Sequence, residues 1–251
     1  MVNRKIAIIT GGSRGIGAAT AELAARSGYD ICLTYISNLE AAKRVVQTCE
    51  AAGARAICVQ GDVGSDSDVE AIFNTCDKVL GPVDLLVNNA GIVGETSRVD
   101  ALPVSALERI YRVNVFGSFY CAQQAVRRMS TKFGGKGGSI VNLSSIAATI
   151  GSAGEYVHYA STKGAIDSFT VGLAREVGRE GIRVNSVQAG TADTEVHTTG
   201  GGNPDRPAMV AATAALGRVA TPYEIAEAIL WLGSDKASYA TGTVLRVGGG
   251  L

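Results

Sequence analysis

Short apolar runs alternate with amphipathic stretches along almost the whole chain. Lys5–Thr10 (KIAIIT) is apolar and β-branched, the pattern of a strand buried on both faces. Ile16, Ala19 and Leu23 then share one side of a helix that Gly28 closes. The same reading predicts strands at Asp30–Tyr35, Ile57–Gln60, Val83–Val87, Ile140–Leu143, Ile182–Val187 and Val244–Val247. Helices are predicted over Leu39–Ala52, Asp66–Leu80, Ser105–Met129 and Ile225–Leu232. Another helix carries Tyr159, with Ile166, Phe169, Leu173 and Val177 on one face and Gly178 and Gly181 at its end. Repeated strand–helix units imply an α/β fold with a parallel sheet and helices on both faces. From Thr191 to about Arg218 the periodicity is lost. Gly200, Gly201, Gly202, Pro204 and Pro207 predict a mobile lid there. No internal repeat or linker divides the chain, so residues 1–251 are read as one domain.

Composition narrows the partners. The chain has 251 residues, with 23 Lys+Arg against 23 Asp+Glu, and its longest basic run is Arg127-Arg128. Neither nucleic acid nor an anionic membrane is expected as a partner. No apolar stretch approaches the roughly 20 residues of a membrane span, and the first residues do not read as a signal peptide. Cys32, Cys49, Cys58, Cys76 and Cys121 are scattered without a C-x-x-C pair, which suits a reduced, cytoplasmic protein. His158 and His197 lack partners at metal-ligand spacing, so no metal is expected.

The candidate chemistry gathers at strand ends. Gly11-Gly12-Ser13-Arg14-Gly15-Ile16-Gly17 lies between a strand and a helix, where backbone N–H groups receive a pyrophosphate. Asn89, Ser145 and Gly190 all fall just after predicted strands, on the sheet edge where such folds bind ligands. Tyr159 and Lys163 lie four apart on one helix face. An ammonium near a phenol favours the phenolate, so the pair reads as a proton donor and acceptor.

In this order and spacing the motifs resemble the short-chain dehydrogenase/reductase family over essentially the whole chain. They are Thr10-Gly11-x-x-x-Gly15-x-Gly17, Asp62-Val63, Asn88-Asn89-Ala90-Gly91, Asn114, Ser144-Ser145, Tyr159-x-x-x-Lys163 and Thr241-Gly242. The resemblance implies a Rossmann-type, doubly wound, seven-stranded parallel sheet in a single domain, assembled as a homotetramer or homodimer. It also implies roles. Tyr159 exchanges the proton with the substrate oxygen, and Ser145 hydrogen-bonds the same oxygen. Lys163 lowers the tyrosine pKa and holds a nicotinamide ribose, and Asn114 holds a water in a relay behind Lys163. Ser145 is preferred to Ser144 on its spacing to Tyr159. Gly11, Ser13, Arg14, Ile16, Gly17, Tyr35, Ser37, Asn38, Asp62, Val63, Asn89, Ala90, Gly91, Gly190 and Thr191 complete the expected cofactor site. The implied reaction is carbonyl reduction. A 3-oxoacyl-carrier-protein reductase, with Lys132, Lys136, Arg175 and Arg179 as a basic rim, and a sugar or polyol dehydrogenase are the alternatives.

The expected cofactor is NADP(H). A carboxylate at the end of the second strand, which would hold an NAD ribose, is replaced by Tyr35-Ile36-Ser37-Asn38. Arg14, Ser37 and Asn38 can meet a 2′-phosphate there. The chain departs from the family pattern at Ala189, where many members have proline, and at Gly248. His158 is expected on the helix surface, facing away from the site. Gly11-x-Ser13-x-Gly15 also matches a nucleophile elbow, but that reading leaves Tyr159 and Lys163 without a role. A nucleotide-sensing domain without catalysis would not need Asn114, Ser145, Tyr159 and Lys163 together.

Overall fold

The computed structural model describes residues 4–194 and 205–251. β1 (Lys5–Ile9), α1 (Gly15–Arg26), β2 (Tyr29–Tyr35), α2 (Leu39–Ala51), β3 (Ala56–Gln60) and α3 (Asp66–Val79) make the first half. β4 (Leu85–Asn88), α4 (Val104–Tyr111), α5 (Gly117–Met129) and β5 (Gly138–Ser145) follow. α6 (Ala147–Ile150), α7 (Val157–Val177), β6 (Ile182–Ala189), α8 (Arg206–Thr213), α9 (Pro222–Gly233) and β7 (Val244–Val247) complete the chain. Seven strands pair in parallel in the order β3-β2-β1-β4-β5-β6-β7. This is the Rossmann-type sheet, and its strand order reverses between β1 and β4. A crevice opens there at the carboxyl ends of the strands.

The apolar run of β1 follows from its central place. Successive residues point to opposite faces, so Ile9 joins the layer of α1, α2 and α9, while Ile8 joins that of α3, α5 and α7. Leu33, Val87, Val141 and Ile229 fill the first layer, and Phe73, Leu86, Met129 and Ile140 fill the second. Buried polar groups tie sheet to helix. Asn88 Nδ2 donates to Asn142 Oδ1 at 2.9 Å, and Asn142 Nδ2 donates to Thr170 Oγ1 of α7 at 2.9 Å. Asn88 is therefore a strand residue inside the core.

Two segments differ from the sequence reading. The helix expected over Ser105–Met129 is α4 and α5 joined by a π-helical turn, Arg112–Phe116, which carries Asn114. β5 and β6 each run farther than expected, so Ser145 ends a strand instead of following one. Of the expected lid, residues 195–204, His197 among them, lie outside the described residues. The remainder holds Thr191–Thr194 and α8. Among the described residues no helix is long and apolar enough to cross a membrane. All five cysteines are free, and burial pushes the Cys49 and Cys121 thiols up to about 12, which makes them poor nucleophiles.

Candidate active site

The glycine turn is built by close contact. Gly11 has φ +63°, its N–H donates to Thr34 Oγ1 at 2.9 Å, and Gly12 N–H donates to the Thr34 carbonyl. A Cβ on Gly17 would come within 2.4 Å of the Gly11 oxygen, so no other side chain fits there without moving the turn. The loop after β4 is stapled to the same turn. Thr10 Oγ1 accepts from Asn89 N and Ala90 N at 3.0 Å, and Asn89 Nδ2 donates to the carbonyls of Thr10 and Gly11. α1 begins with no side-chain cap and no acidic residue in its first turn, leaving its N–H groups directed at the crevice.

A cleft of about 710 Å³ starts at this turn and runs along the strand ends. Gly11, Ser13, Arg14, Ile16, Gly17, Tyr35, Ser37, Asn38, Val63, Asn89, Ala90, Gly91, Gly190 and Thr191 line it, as do Ser145, Tyr159 and Lys163. Asp62 does not. Its Oδ1 is turned away to accept from Gly64 N at 2.8 Å, leaving Gly61 and Val63 as the wall. Asn38 caps α2 through Oδ1, which receives Ala41 N at 2.9 Å. Only its Nδ2 is left for a ligand. Glu40 is inside α2 and pairs with Lys43, so no carboxylate stands at the end of β2. Arg44, which sequence reasoning passed over, also lines the cleft. Its position after the α2 N-terminus is the signal that could have found it.

At the inner end, Lys163 is 5% exposed, and its Nζ donates to the Leu143 carbonyl at 2.6 Å. Burial lowers its pKa from 10.5 to about 8, against the opposing pull of Asp167. The ammonium lies 5.6 Å from the centre of the Tyr159 ring. Burial pushes the Tyr159 phenol above its usual value, while a hydrogen bond from Ser145 and the charge of Arg206 favour the phenolate. The expected lowering by Lys163 is therefore not what dominates. The ammonium is committed to Leu143, and desolvation of the phenol outweighs the groups that oppose it. The two serines divide their tasks. Ser144 Oγ donates to the Lys163 carbonyl at 3.1 Å and supports the helix, whereas the Ser145 hydroxyl faces Tyr159.

The Asn114 side chain is held on the loop after β4. Its Oδ1 accepts from Ile92 N at 2.8 Å, and its Nδ2 donates to the Ile92 carbonyl and to Thr162 Oγ1. The amide clamps the loop after β4 onto α7, because the π turn swings it beneath that loop, and it does not line the cleft. It stays near the lysine all the same: a Cβ on Gly91 would lie 3.2 Å from Asn114 Oδ1 and 3.6 Å from Lys163 Nζ.

His158 is buried, not on the helix surface. The loop after β4 covers it, and a Cβ on Gly94 would approach its Nε2 to 3.1 Å. Burial lowers its pKa, so the ring is neutral, and it stays outside the cleft wall. Gly248 packs against Gly190, and Ala189 keeps its place in the sheet between Ser145 and Val247.

Lys132, Lys136, Arg175 and Arg179, expected as a basic rim for a carrier protein, do not line the cleft. Lys136 lines a separate basin at the opposite edge of the sheet, with Lys5 and Arg183. Arg175 is in the last turn of α7 and Arg179 just beyond it, at the end of the helix far from Tyr159.

Comparison with known proteins agrees with this geometry. A family model described as Enoyl-(Acyl carrier protein) reductase matches residues 11–251. An uncharacterized oxidoreductase, YgfF, of Escherichia coli K12 is 46% identical over 245 residues, which is 98% of this chain and 99% of that protein. An L-rhamnose 1-dehydrogenase (NAD(P)(+)) of a Sphingomonas species is 37% identical, covering 100% of this chain and 97% of its own. A short-chain dehydrogenase from Burkholderia cenocepacia, solved in complex with NADP, superposes with a TM-score of 0.89 at 31% identity, covering 98% of this chain and 97% of that one. With the Gly11 turn, the Asn89 loop and the Tyr159–Lys163 pair on one cleft, the chain belongs to the short-chain dehydrogenase/reductase family of oxidoreductases.

Proposed function

We propose that this chain is an NADP(H)-dependent oxidoreductase that interconverts a ketone and a secondary alcohol, with Tyr159 giving the proton in reduction. The observation that carries the reading is the convergence of Tyr159, Ser145 and Lys163 in the cleft that begins at the Gly11 turn. A dinucleotide fits the other end: uncapped N–H groups of α1, a backbone turn too tight for side chains and, among the described residues, no acid lining the cleft. When bound, the nicotinamide supplies the hydride. The chain's own part is to move the proton and hold the oxygen. Tyr159 and Ser145 donate hydrogen bonds to the substrate oxygen, which gains negative charge as the carbon is reduced. A phenol held protonated by burial suits the reductive direction. Lys163 and Arg206 supply positive charge near the phenolate left behind. Asn114 keeps the Ile92 loop against α7, and Lys163 is placed to hold the ribose.

The proposal is tested with both nicotinamide cofactors, a ketone panel in one direction and an alcohol and aldose panel in the other. Absence of turnover throughout would defeat it. Oxidation of a sugar is the second reading, and the rhamnose-oxidising relative favours it. A cytoplasmic location accords with five free cysteines.

For cofactor choice, Arg14 and Arg44 bring two cations to the cleft near Ser37 and Asn38. We expect at least about a tenfold preference for NADPH, or ~1.4 kcal/mol. Arg14→Ala should weaken NADPH far more than NADH, and Tyr35→Asp should move preference toward NADH. Equal kcat/KM with both cofactors would refute the assignment.

The same reading includes assembly into a dimer or tetramer. Along α4, the π turn and α5, Ile110, Val113 and Val115 are buried, but Leu107, Phe116 and Phe119 remain exposed beside α7. Phe119 already stacks on Phe169 of α7 with ring centres 3.9 Å apart. Light scattering at micromolar concentration should report an oligomer, and Phe116→Asp with Phe119→Asp should shift it toward the monomer mass. A monomer in the unmodified protein would end this part of the proposal.

A further inference from the structure

The cation that favours the Tyr159 phenolate also borders the cleft itself. Arg206, the first residue of α8, lines the cleft. Its Nη1 pairs with Glu155, and its guanidinium lies 5.2 Å from the centre of the Tyr156 ring. That platform is rigid. Tyr156 is 3% exposed, and the Thr96 hydroxyl donates to its phenol oxygen at 2.9 Å. Glu155 is the only hydrogen-bond partner of Arg206 among the described residues. A guanidinium has five donors in a planar fork, so among the described residues most of them meet no acceptor, and the side chain remains 24% exposed.

The surrounding wall makes this cation selective. Val93, Ala147, Ile150 and Val210 line the same cleft and carry no charge. A neutral substrate filling this space would strip water from an arginine and give little back, which costs binding. A carboxylate would instead receive paired, charge-assisted hydrogen bonds from the open edge of the fork. Glu155 pairs with Nη1 alone and sets the orientation of the guanidinium. The ion pair therefore works as a positioned receptor and not as a closed pair.

We propose that the ketone or alcohol turned over at Tyr159 carries a carboxylate away from the reacting carbon, and that Arg206 receives it. The inference rests on Tyr159 and Ser145 being the reaction centre.

The test measures kcat/KM, at saturating NADPH, for oxo-carboxylates of graded chain length, each against its methyl ester. At the length that spans Tyr159 to Arg206, the acid should exceed the ester by about tenfold or more, the scale of one charge-assisted hydrogen bond. Arg206→Gln should abolish that ratio, and Arg206→Lys should keep part of it. Glu155→Gln frees the fork and should raise the ratio. If Arg206 were only a brace for α8, both variants would lower acid and ester alike, and the proposal would fall. Esters used as well as acids at every length would also overturn it, while leaving the oxidoreductase reading intact. A second measurement does not depend on turnover. Calorimetric titration of the NADP⁺-loaded protein with unreactive aliphatic carboxylates should show binding that Arg206→Gln weakens about tenfold. Carboxylates that bind neither protein, or both equally, would overturn the proposal. Failure of every ketone and alcohol to react would instead strike the reading on which it rests.

Discussion

Tyr159→Phe should lower kcat by about 10²–10⁴-fold, the usual contribution of a positioned acid catalyst, and leave cofactor affinity nearly unchanged. The substitution removes one hydroxyl from a side chain whose ring is packed at the inner end of the cleft and fills the same space. The glycine turn, the Asn89 loop and the residues after β2 are untouched, so dinucleotide binding has no reason to weaken. What disappears is the proton in flight and the hydrogen bond with Ser145. KM for the ketone should change much less than kcat, because the interaction is made mostly in the transition state. Single-turnover kinetics with NADPH, beside a fluorescence titration of cofactor binding, check both halves. Retention of more than about a tenth of wild-type kcat would remove Tyr159 from its assigned role.

Lys163→Met should be the second large effect, and it should act in opposite directions on function and stability. Turnover and cofactor affinity should both fall, since one ammonium serves the ribose and the phenolate. The apoprotein, by contrast, should become more stable near neutral pH. Lys163 is buried, with its pKa lowered from 10.5 to about 8, so the folded chain binds that proton less tightly than the unfolded chain does. Between these values the unfolded state holds more protons, and stability therefore rises with pH across that window. Below about 8 the cost of keeping the ammonium charged is present in full. Its scale is about 3 kcal/mol at ~1.4 kcal/mol per pKa unit. Methionine avoids that cost but leaves the Leu143 carbonyl without its donor, a loss of about 1–3 kcal/mol. Urea denaturation of the two proteins should show the variant's relative stability greatest below pH 8 and shrinking as pH rises toward 10.5. A stability difference that stays flat across this range would contradict the buried-ammonium account.

Much of this protein was determined by local sequence. Strands buried on both faces must be apolar throughout, as in KIAIIT, and helices against a sheet must repeat at three and four, so the α/β class was legible. The glycine turn was legible for a related reason: Gly11 takes a left-handed backbone, and at Gly17 the backbone itself leaves no room for a Cβ. The Tyr159–Lys163 spacing placed both groups on one helix face, and that needs no knowledge of the rest of the fold. Local pattern does not encode what covers a side chain. His158 has the spacing of a surface residue until the loop after β4 closes over it. The π turn at Arg112–Phe116 is invisible in an apolar periodicity that continues through it, yet it aims Asn114 at Ile92. Arg206, far along the chain from the glycine turn and the Asn89 loop, joins their cleft only when α8 is packed. The phenol and ammonium pKa values belong to the same class. Their shifts come mainly from desolvation, and desolvation is a property of the assembled interior, which no stretch of sequence creates alone.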